Sequence, residues 1–229
     1  MKKIFQAVGS ILLSLTLLLG LLCGVLLAVA GNANYMDAMF LRHSDPNITG
    51  VAVQEYLGLA EKITAYLTGR ADTFQTTLSV HGQTREAFSE KELQHMQDVR
   101  NLFSLCRSVF LSCALIVIVC LALSLFRFRP MLIMLARSYI RVSLFLAALG
   151  ATLAVWAAVD FHTLFTLFHH IFFTNDLWIL NPKQDLLLQL MPTSFFMAYA
   201  ARIGLFWLIS AAFFNLNAIL YLKRRKRQA

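Results

Sequence analysis

Two histidine-centred stretches carry the residue types that can do proton chemistry. In the first, residues 92–100, His95 and Asp98 are three positions apart and would be neighbours on one helix face. In the second, residues 168–173, His169 and His170 are surrounded by phenylalanine and isoleucine. An imidazole takes up and returns a proton near neutral pH. The two stretches therefore indicate general acid–base catalysis.

The sequence carries no motif of a covalent nucleophile. It contains no Gly-x-Ser-x-Gly elbow and no glycine-rich phosphate loop. A substrate that brings its own nucleophile is therefore favoured. His95, His162 and His169 could together hold a metal, but the i, i+4 histidine pair or short Cys/His spacing of a zinc site is missing. No metal and no cofactor is predicted.

The elements that must position these histidines are membrane helices. Of the 229 residues, 59% are hydrophobic, and they concentrate in four runs, at about 4–30, 102–126, 140–160 and 195–222. About 20 apolar residues suffice for a helix to cross the hydrocarbon, and a spanning segment must satisfy its own backbone groups. The sequence therefore predicts an all-α membrane protein with four transmembrane helices in a single domain, 1–229.

Charge is distributed unevenly between the two ends of these runs. The net charge is +8, and all twelve acidic residues lie at one set of ends. At the other set lie Lys2, Lys3, Arg127, Arg129, Arg137, Arg141 and the basic run 223–227. Cations that flank spans stay in the cytoplasm. We therefore place both termini, the connector 127–139 and the tail 223–229 inside, and segments 31–101 and 161–194 outside.

The basic tail, 223–229, lies directly inside a predicted span. A cation cluster in that position is an anchor for anionic membrane lipid, and this reading is favoured over nucleic-acid binding. The predicted partners therefore include membrane lipid and exclude nucleic acid, and the protein is expected to be a monomer.

The segments between spans have their own signals. A helix is expected over Val51–Leu67, a hairpin around His81-Gly82, and a capping box at Ser89 and Glu92 that starts the helix leading into span two. These elements predict a mostly helical extracellular cap between spans one and two. Residues 131–141 are expected to form an interfacial helix, and an aromatic interfacial loop is expected between spans three and four.

Two arginines stand inside the predicted spans. Arg107 and Arg202 lie about two turns from the outer ends of spans two and four. A charge in hydrocarbon is costly unless it faces protein or water. Each arginine either snorkels to the headgroups or lines an outward-opening pocket that holds carbonyl or phosphate oxygen.

Two blocks of sequence resemble one known family. The blocks are 92–100, ELQHMQDVR, and 168–178, FHHIFFTNDLW, followed by Pro182, Asp185 and the run 192–196. They are similar to the bacterial lipoprotein intramolecular transacylase family, and the resemblance extends over essentially the whole chain. It implies an acyltransferase of the Gram-positive cell membrane whose active site faces the extracellular side.

The resemblance also implies the substrate and the reaction. Such an enzyme acts on a diacylglyceryl-modified lipoprotein. It would move the sn-2 acyl chain to the α-amine of the amino-terminal cysteine and so give a lyso-form lipoprotein. The key histidines of the family correspond to His95 and His169, and a shift of one in the alignment would give His170 instead.

Several further residues are supporting or substrate-binding candidates. Asp98 is expected to orient His95, as carboxylates orient catalytic imidazoles. Donors to a developing oxyanion are expected among Asn175, Trp178, Arg107 and Tyr35. Asp176 and Arg202 are further supporting or substrate-binding candidates.

Two other classes of function remain open at this point. The chain could be a non-catalytic membrane scaffold or sensor whose extracellular cap binds a partner, and replacement of both histidines without a biochemical effect would favour that class. A small transporter is disfavoured because the predicted spans carry no acidic relay.

Overall fold

Helices dominate the computed structural model, which describes residues 2–127 and 129–228. In chain order the elements are α1 (Lys2–Ala30), α2 (Ala33–His43), α3 (Pro46–Thr49), α4 (Val53–Leu67), β1 (Thr77–Val80), β2 (Gln83–Glu86), α5 (Glu90–Arg127), α6 (Arg129–Val159), α7 (Phe161–Phe172), α8 (Leu186–Leu190) and α9 (Thr193–Gln228). Phe128 of the predicted connector and the terminal residues Met1 and Ala229 lie outside the described residues. The same holds for the side chains of the predicted cytoplasmic cations Lys2, Lys3, Arg127 and Arg129.

Within the described residues, four helices are long and apolar enough to cross a membrane. The qualifying segments are Ile4–Ala30, Glu90–Leu123, Leu132–Val159 and Thr193–Gln228. They lie in α1, α5, α6 and α9, so the prediction of an α-helical membrane protein with four candidate spans is confirmed. The helices extend beyond the predicted apolar runs, because a helix continues past the last apolar residue until a capping or breaking residue ends it. The side of the membrane that each end faces stays a prediction.

The predicted interfacial helix at 131–141 does not exist as a separate element. Helix α6 runs without a break over Arg129–Val159, so most of the predicted connector belongs to the third long helix. No glycine or proline lies between 131 and 141. Pro130 is in the first turn of α6, where its missing N–H costs no helical hydrogen bond. The sequence therefore contained no signal to end a helix there.

Two compact units make up the chain. The first contains Met1–Val25, Arg107–Val155 and Ile203–Ala229, and the second contains Leu26–Cys106 and Trp156–Arg202.

The first unit packs helices around Leu18, Tyr139 and Ala211, which are all buried. The indole Nε1 of Trp207 donates a hydrogen bond of 3.1 Å to the Leu18 carbonyl oxygen, and Tyr139 donates one of 3.3 Å to the Ala211 carbonyl oxygen. These two donors between apolar helices thus have acceptors, and such hydrogen bonds favour helix packing in lipid.

The second unit has a soluble-type core. Phe40 of α2 is fully buried, and its ring centroid lies 6.1 Å from that of Tyr56 in α4 and 5.7 Å from that of Phe195 in α9. The Tyr56 hydroxyl shares a 2.9 Å hydrogen bond with the Thr49 hydroxyl. Aromatic contacts of this kind fix α2 against α4 and the first turn of α9.

A β-hairpin closes one side of the second unit. Strands β1 and β2 pair antiparallel, with Val80 opposite Gln83. The two loop residues, His81 and Gly82, have φ values of 50° and 78°. Positive φ at both loop positions is the type I′ geometry that suits a two-residue hairpin. The hairpin predicted from His81-Gly82 is confirmed.

Glu92 ties the start of α5 to α8. The Ser89 backbone N–H and hydroxyl donate to Glu92 Oε2 at 2.7 and 2.8 Å, and the Glu92 N–H donates back to the Ser89 hydroxyl at 3.4 Å. This is the predicted capping box. The second carboxylate oxygen accepts a 2.7 Å hydrogen bond from the Leu187 backbone N–H. Glu92 is 2% exposed, so its carboxylate makes a buried hydrogen-bonded connection, the Glu92 joint, between α5 and α8. It lies one turn before His95.

Replacement of Glu92 by alanine should destabilise the protein. The Leu187 N–H would lose its acceptor in a buried place, and the first turn of α5 would lose its cap. The expected loss is about 2–3 kcal/mol, which corresponds to a fall of about 5–10 °C in the thermal unfolding midpoint. Purified protein in detergent followed by intrinsic fluorescence measures it. The matched control is Glu90→Ala, since Glu90 is exposed at the first position of the same helix; an equal fall in both variants would contradict the role of Glu92.

Candidate active site

His95 lies in the second turn of α5, three residues after the Glu92 joint. Its side chain is buried, at 8% exposure, although it is a polar residue near the beginning of a helix. The Nδ1 atom of His95 is buried and has no hydrogen-bond partner among the described residues. The capping box fixes the start of the helix. The His95 ring itself is held by packing, since its Nδ1 has no hydrogen-bond partner among the described residues.

His169 lies in the last turn of α7. This helix begins at the N-cap Asp160, whose carboxylate accepts a 3.0 Å hydrogen bond from the Thr163 backbone N–H. His169 is 6% exposed, whereas the adjacent His170 is exposed. Successive residues on a helix differ by about 100° in direction. The structure therefore turns His169, and not His170, into the interior of the second unit.

The tautomer of His169 follows from one contact. The Nδ1 atom lies 2.7 Å from the Phe165 carbonyl oxygen, four residues earlier. A carbonyl oxygen only accepts, so Nδ1 must carry the proton and donate. The Nε2 atom then keeps its lone pair in the neutral ring, and the same bond fixes the ring orientation.

The two buried imidazoles lie next to each other. Their ring centroids are 6.0 Å apart, although the residues are far apart in the sequence. Phe173 contacts both, with centroid distances of 5.4 Å to His95 and 5.5 Å to His169. On its other sides His169 packs against Phe165 at 4.2 Å and stacks on Trp178 at 4.7 Å. We call these five residues, His95, Phe165, His169, Phe173 and Trp178, the histidine cluster.

Burial changes the proton affinity of the cluster. Desolvation lowers the pKa of His169 below its ordinary value, and the nearby His170 acts in the same direction, while the hydrogen bond to the Phe165 carbonyl oxygen opposes them. The neutral form of His169 is therefore favoured at neutral pH. The described residues contain no group of three or more His, Cys, Asp or Glu that could hold a metal ion.

The Asp98 carboxylate has a partner that was not predicted. Asn175 Nδ2 donates a 2.9 Å hydrogen bond to Asp98 Oδ2, while the expectation that Asp98 orients His95 stays a prediction. The Asn175 Oδ1 atom accepts from the Leu177 N–H at 3.1 Å and so shapes the loop after α7. Helical spacing made Asp98 and His95 neighbours, but it could not reveal a loop amide that competes for the carboxylate.

Trp178 and Asp176 differ in their surroundings. Trp178 belongs to the histidine cluster, and its Nε1 atom is buried without a hydrogen-bond partner in the described part of the chain. An orphaned buried donor is uncommon in proteins and calls for an explanation. Asp176 is exposed at the tip of the loop.

Arg202, Tyr35 and Arg107 are the remaining candidates. The Arg202 guanidinium is stacked 4.0 Å from the Tyr35 ring centroid, and Tyr35 also packs against Tyr199 at 4.8 Å. A chain of ring contacts joins this group to the histidine cluster: Tyr199 packs against Phe195 at 4.6 Å, Phe195 against Phe196 at 5.4 Å, and Phe196 against Phe165 at 5.2 Å. Arg107 belongs to the first compact unit, and the histidine cluster belongs to the second.

Sequence reasoning missed two members of the cluster. Phe173, which contacts both histidines, is one of many aromatic residues in its stretch and has no distinguishing neighbour. Phe165 is four residues before His169, so the helical period alone would have placed it one turn away. That signal was present in the sequence, whereas no signal marked Phe173.

Comparison with solved structures gives a matching fold. A structure described as the membrane integral lipoprotein intramolecular transacylase Lit from Bacillus cereus matches with 21% sequence identity and a TM-score of 0.75, and the match covers 98% of this chain and 99% of that one. Two variant structures of the Bacillus cereus protein, with a histidine replaced by arginine or by alanine, both match with a TM-score of 0.71. Their identities are 20% and 21%, and the matches cover 99% and 100% of this chain and 96% and 98% of those chains.

Comparison of sequences is more specific. Among curated proteins none matches the chain. The profile of the family described as lipoprotein intramolecular transacylase Lit, however, matches residues 10–196, which is most of the sequence. The chain therefore belongs to the lipoprotein intramolecular transacylase Lit family and is a membrane acyltransferase.

Proposed function

We propose that this transacylase moves the sn-2 acyl chain of a diacylglyceryl lipoprotein onto the α-amine of the same molecule's amino-terminal cysteine, with His95 and His169 as the general acid–base pair. The observation that carries the proposal is the pair of buried imidazoles 6.0 Å apart. Two neutral imidazoles in an apolar enclosure are suited to moving one proton between two substrate atoms.

His169 takes the role of base. Its Nδ1–H is held by the Phe165 carbonyl oxygen at 2.7 Å, so Nε2 keeps its lone pair available to accept the amine proton. Desolvation lowers its pKa, so the ring is already neutral when the substrate arrives.

His95 takes the complementary role of donor. Its Nδ1 is buried without a partner. A buried lone pair without a donor is less costly than a buried N–H without an acceptor. The tautomer with the proton on Nε2 is therefore favoured, and this N–H can serve the departing oxygen.

The reaction balances without water and without an acyl-enzyme. The α-amine gives a proton to His169, its nitrogen attacks the ester carbonyl carbon, and a C–N bond forms. The bond from that carbon to the sn-2 glycerol oxygen then breaks, and the oxygen receives the proton of His95 Nε2 as the His169 imidazolium gives its proton to the adjacent His95 ring. Both imidazoles end neutral, and the products are an amide and a free hydroxyl on one molecule. Because amine and ester belong to the same substrate, enforced proximity contributes about 7–11 kcal/mol to lowering the barrier.

The oxyanion that develops on the carbonyl needs a donor. Trp178 supports this role better than the other candidates, because its Nε1–H is buried, unpaired in the described structure, and belongs to a ring stacked on His169. Asn175 is a second source, since its amide gives one N–H to Asp98 and keeps another. Tyr35 and Arg202 contact each other instead.

The membrane context of the proposal follows the charge pattern. Both termini would be cytoplasmic, and the histidine cluster would face the extracellular side of a bacterial cell membrane, where lipoproteins carry their diacylglyceryl group. The protein would act as a monomer.

Loss of either imidazole should remove most of the activity. His95→Ala and His169→Ala are each expected to lower kcat by about 10²–10⁴-fold, the usual contribution of general acid–base catalysis. Mass spectrometry of a diacylglyceryl lipopeptide incubated with the enzyme in nanodiscs measures the N-acyl product. The neighbouring exposed residue gives the matched control, His170→Gln, which should remain close to wild type. Wild-type turnover in either alanine variant would end the proposed role of that residue.

The transfer should be confined to single substrate molecules. A mixture of substrates, one labelled in the acyl chain and the other in the peptide, should give no doubly labelled product, because the amine attacks the ester of its own glycerol. Doubly labelled product at the statistical level would instead require an acyl-enzyme or a bimolecular transfer.

Replacement of Trp178 by phenylalanine should lower kcat without a comparable change in KM. The phenyl ring keeps an aromatic contact with His169 but has no N–H, and removal of one oxyanion donor costs about 10²-fold or more in kcat. Trp156→Phe, which removes the indole N–H of an exposed tryptophan on α6, is the control. An unchanged kcat for the Trp178 variant would assign the oxyanion to another donor.

The acidic limb of the kcat profile should lie below pH 6.5. Burial lowers the pKa of His169, so the base remains neutral until the pH falls past that reduced value, and activity is lost only there. Single-turnover rates between pH 4.5 and 8 would show the limb, and ¹³C-labelled histidine NMR of the same protein would assign it. A limb at or above pH 6.5 that the NMR titration assigns to His169, and not to the substrate amine, would contradict a buried His169 as base.

A further inference from the structure

A cleft of about 300 Å³ opens beside the histidine cluster. Its walls come from α5 and from the end of α7 with the loop that follows, and they include Asp98, Asn101, Leu102, Leu105, Phe172 and Asn175. Phe173 also lines it, and the same ring packs against both histidines. The cleft and the two imidazoles therefore share one aromatic wall.

One end of the cleft is polar and anionic. The Asp98 carboxylate is half-buried there and accepts one hydrogen bond, from Asn175. Within the described ranges, no lysine or arginine forms an ion pair with Asp98. A carboxylate has about four acceptor positions, so Asp98 retains acceptor capacity that faces a space large enough for a ligand.

The other end is apolar and open. Leu105, Ile171 and Phe172 line it and are 59%, 66% and 50% exposed. In a membrane protein, large apolar side chains at this exposure face lipid tails. Leu105 lies seven residues after Asp98 on α5, roughly 10 Å further along the helix, so we place the carboxylate and the lipid-facing surface at opposite ends of the cleft.

The volume limits what can bind. At about 30 Å³ for each water-sized group, the cleft holds roughly ten such groups. That is enough for a small polar head and the first methylenes of one chain, and too little for two complete acyl chains. The rest of any chain must lie along the exposed apolar residues.

We propose that this cleft receives the amino-terminal head of the substrate, with the α-ammonium against the Asp98 carboxylate and the first methylenes of an acyl chain against Leu102 and Leu105. An ammonium beside a carboxylate forms a charge-assisted hydrogen bond, and such a contact orients a ligand as well as holding it. Asp98 is one helical turn from His95, so an amine held there is presented to the imidazoles. This proposal rests on the proposed transacylation.

Binding can be measured without turnover in the inactive His95→Ala protein, in phosphatidylglycerol nanodiscs. A fluorescent diacylglyceryl lipopeptide with a free amine and its N-acetylated counterpart are the two probes. The free amine should bind about tenfold more tightly. In the double variant His95→Ala/Asp98→Asn the two probes should bind equally. Glu86→Gln, which removes an exposed carboxylate on β2, should leave the tenfold preference in place.

Two further experiments test the contact with the acyl chain and the specificity of the site for the lipopeptide. Leu105→Trp fills the apolar end of the cleft and should weaken both probes by the same several-fold factor. Phosphatidylethanolamine is another lipid with a primary ammonium. Because the proposed site is specific for the lipopeptide, phosphatidylethanolamine should displace the free-amine probe only weakly.

The outcomes are distinct. Equal binding of the two probes to the parent protein, or a preference that survives Asp98→Asn, overturns the ammonium site; the first comparison stands even if the Asp98 variant fails to fold. Unchanged affinities in Leu105→Trp overturn the proposed contact between the acyl chain and Leu105. Full displacement of the free-amine probe by phosphatidylethanolamine overturns the specificity of the site for the lipopeptide. Turnover by His95→Ala itself would instead overturn the proposed catalytic pair, while the binding comparison would keep its meaning.

Discussion

The shared burial of two imidazoles is the constraint on which the rest of the site depends. His95 and His169 are 8% and 6% exposed, with ring centroids 6.0 Å apart. In such an enclosure a second positive charge next to a first is strongly disfavoured, because neither is solvated. At most one of the two imidazoles is therefore readily protonated to imidazolium at a time. A proton gained from one part of a substrate would then be readily passed to another, as the proposed transfer between an amine and an ester requires.

Each supporting contact has a part in this arrangement. The Glu92 carboxylate fixes the start of α5 to the N–H of Leu187 at 2.7 Å, one turn before His95. The Phe165 carbonyl oxygen fixes the tautomer of His169, and the buried Phe173 ring packs against both imidazoles. These contacts are local, short and mostly made by the backbone or by rigid aromatic rings, so little side-chain entropy is lost in holding the geometry.

The sequence predicted the frame better than the fine structure of the site. Four helical spans, the hairpin turn at His81-Gly82 and the capping box at Ser89 and Glu92 followed from apolar length, turn chemistry and spacing, which are local properties. The extent of α6 was misjudged because no breaking residue marked its start. The hydrogen bond between Asp98 and Asn175 was not foreseen, for a different reason. A hydrogen bond between α5 and a loop some 80 residues later depends on tertiary packing, and helical spacing carries no information about it.

The apolar lining of the site also bears on why such an enzyme would not hydrolyse its substrate. An ester activated near a neutral imidazole is open to attack by water as well as by an amine. The rings in contact with His169 are Phe165, Phe168, Phe173, Trp178 and His95, and aromatic carbon offers water few hydrogen bonds. In the proposed reaction the amine belongs to the same molecule as the ester and would compete against water that is depleted from the site. Selectivity for acyl transfer over hydrolysis would then follow from the same burial that lowers the pKa of His169.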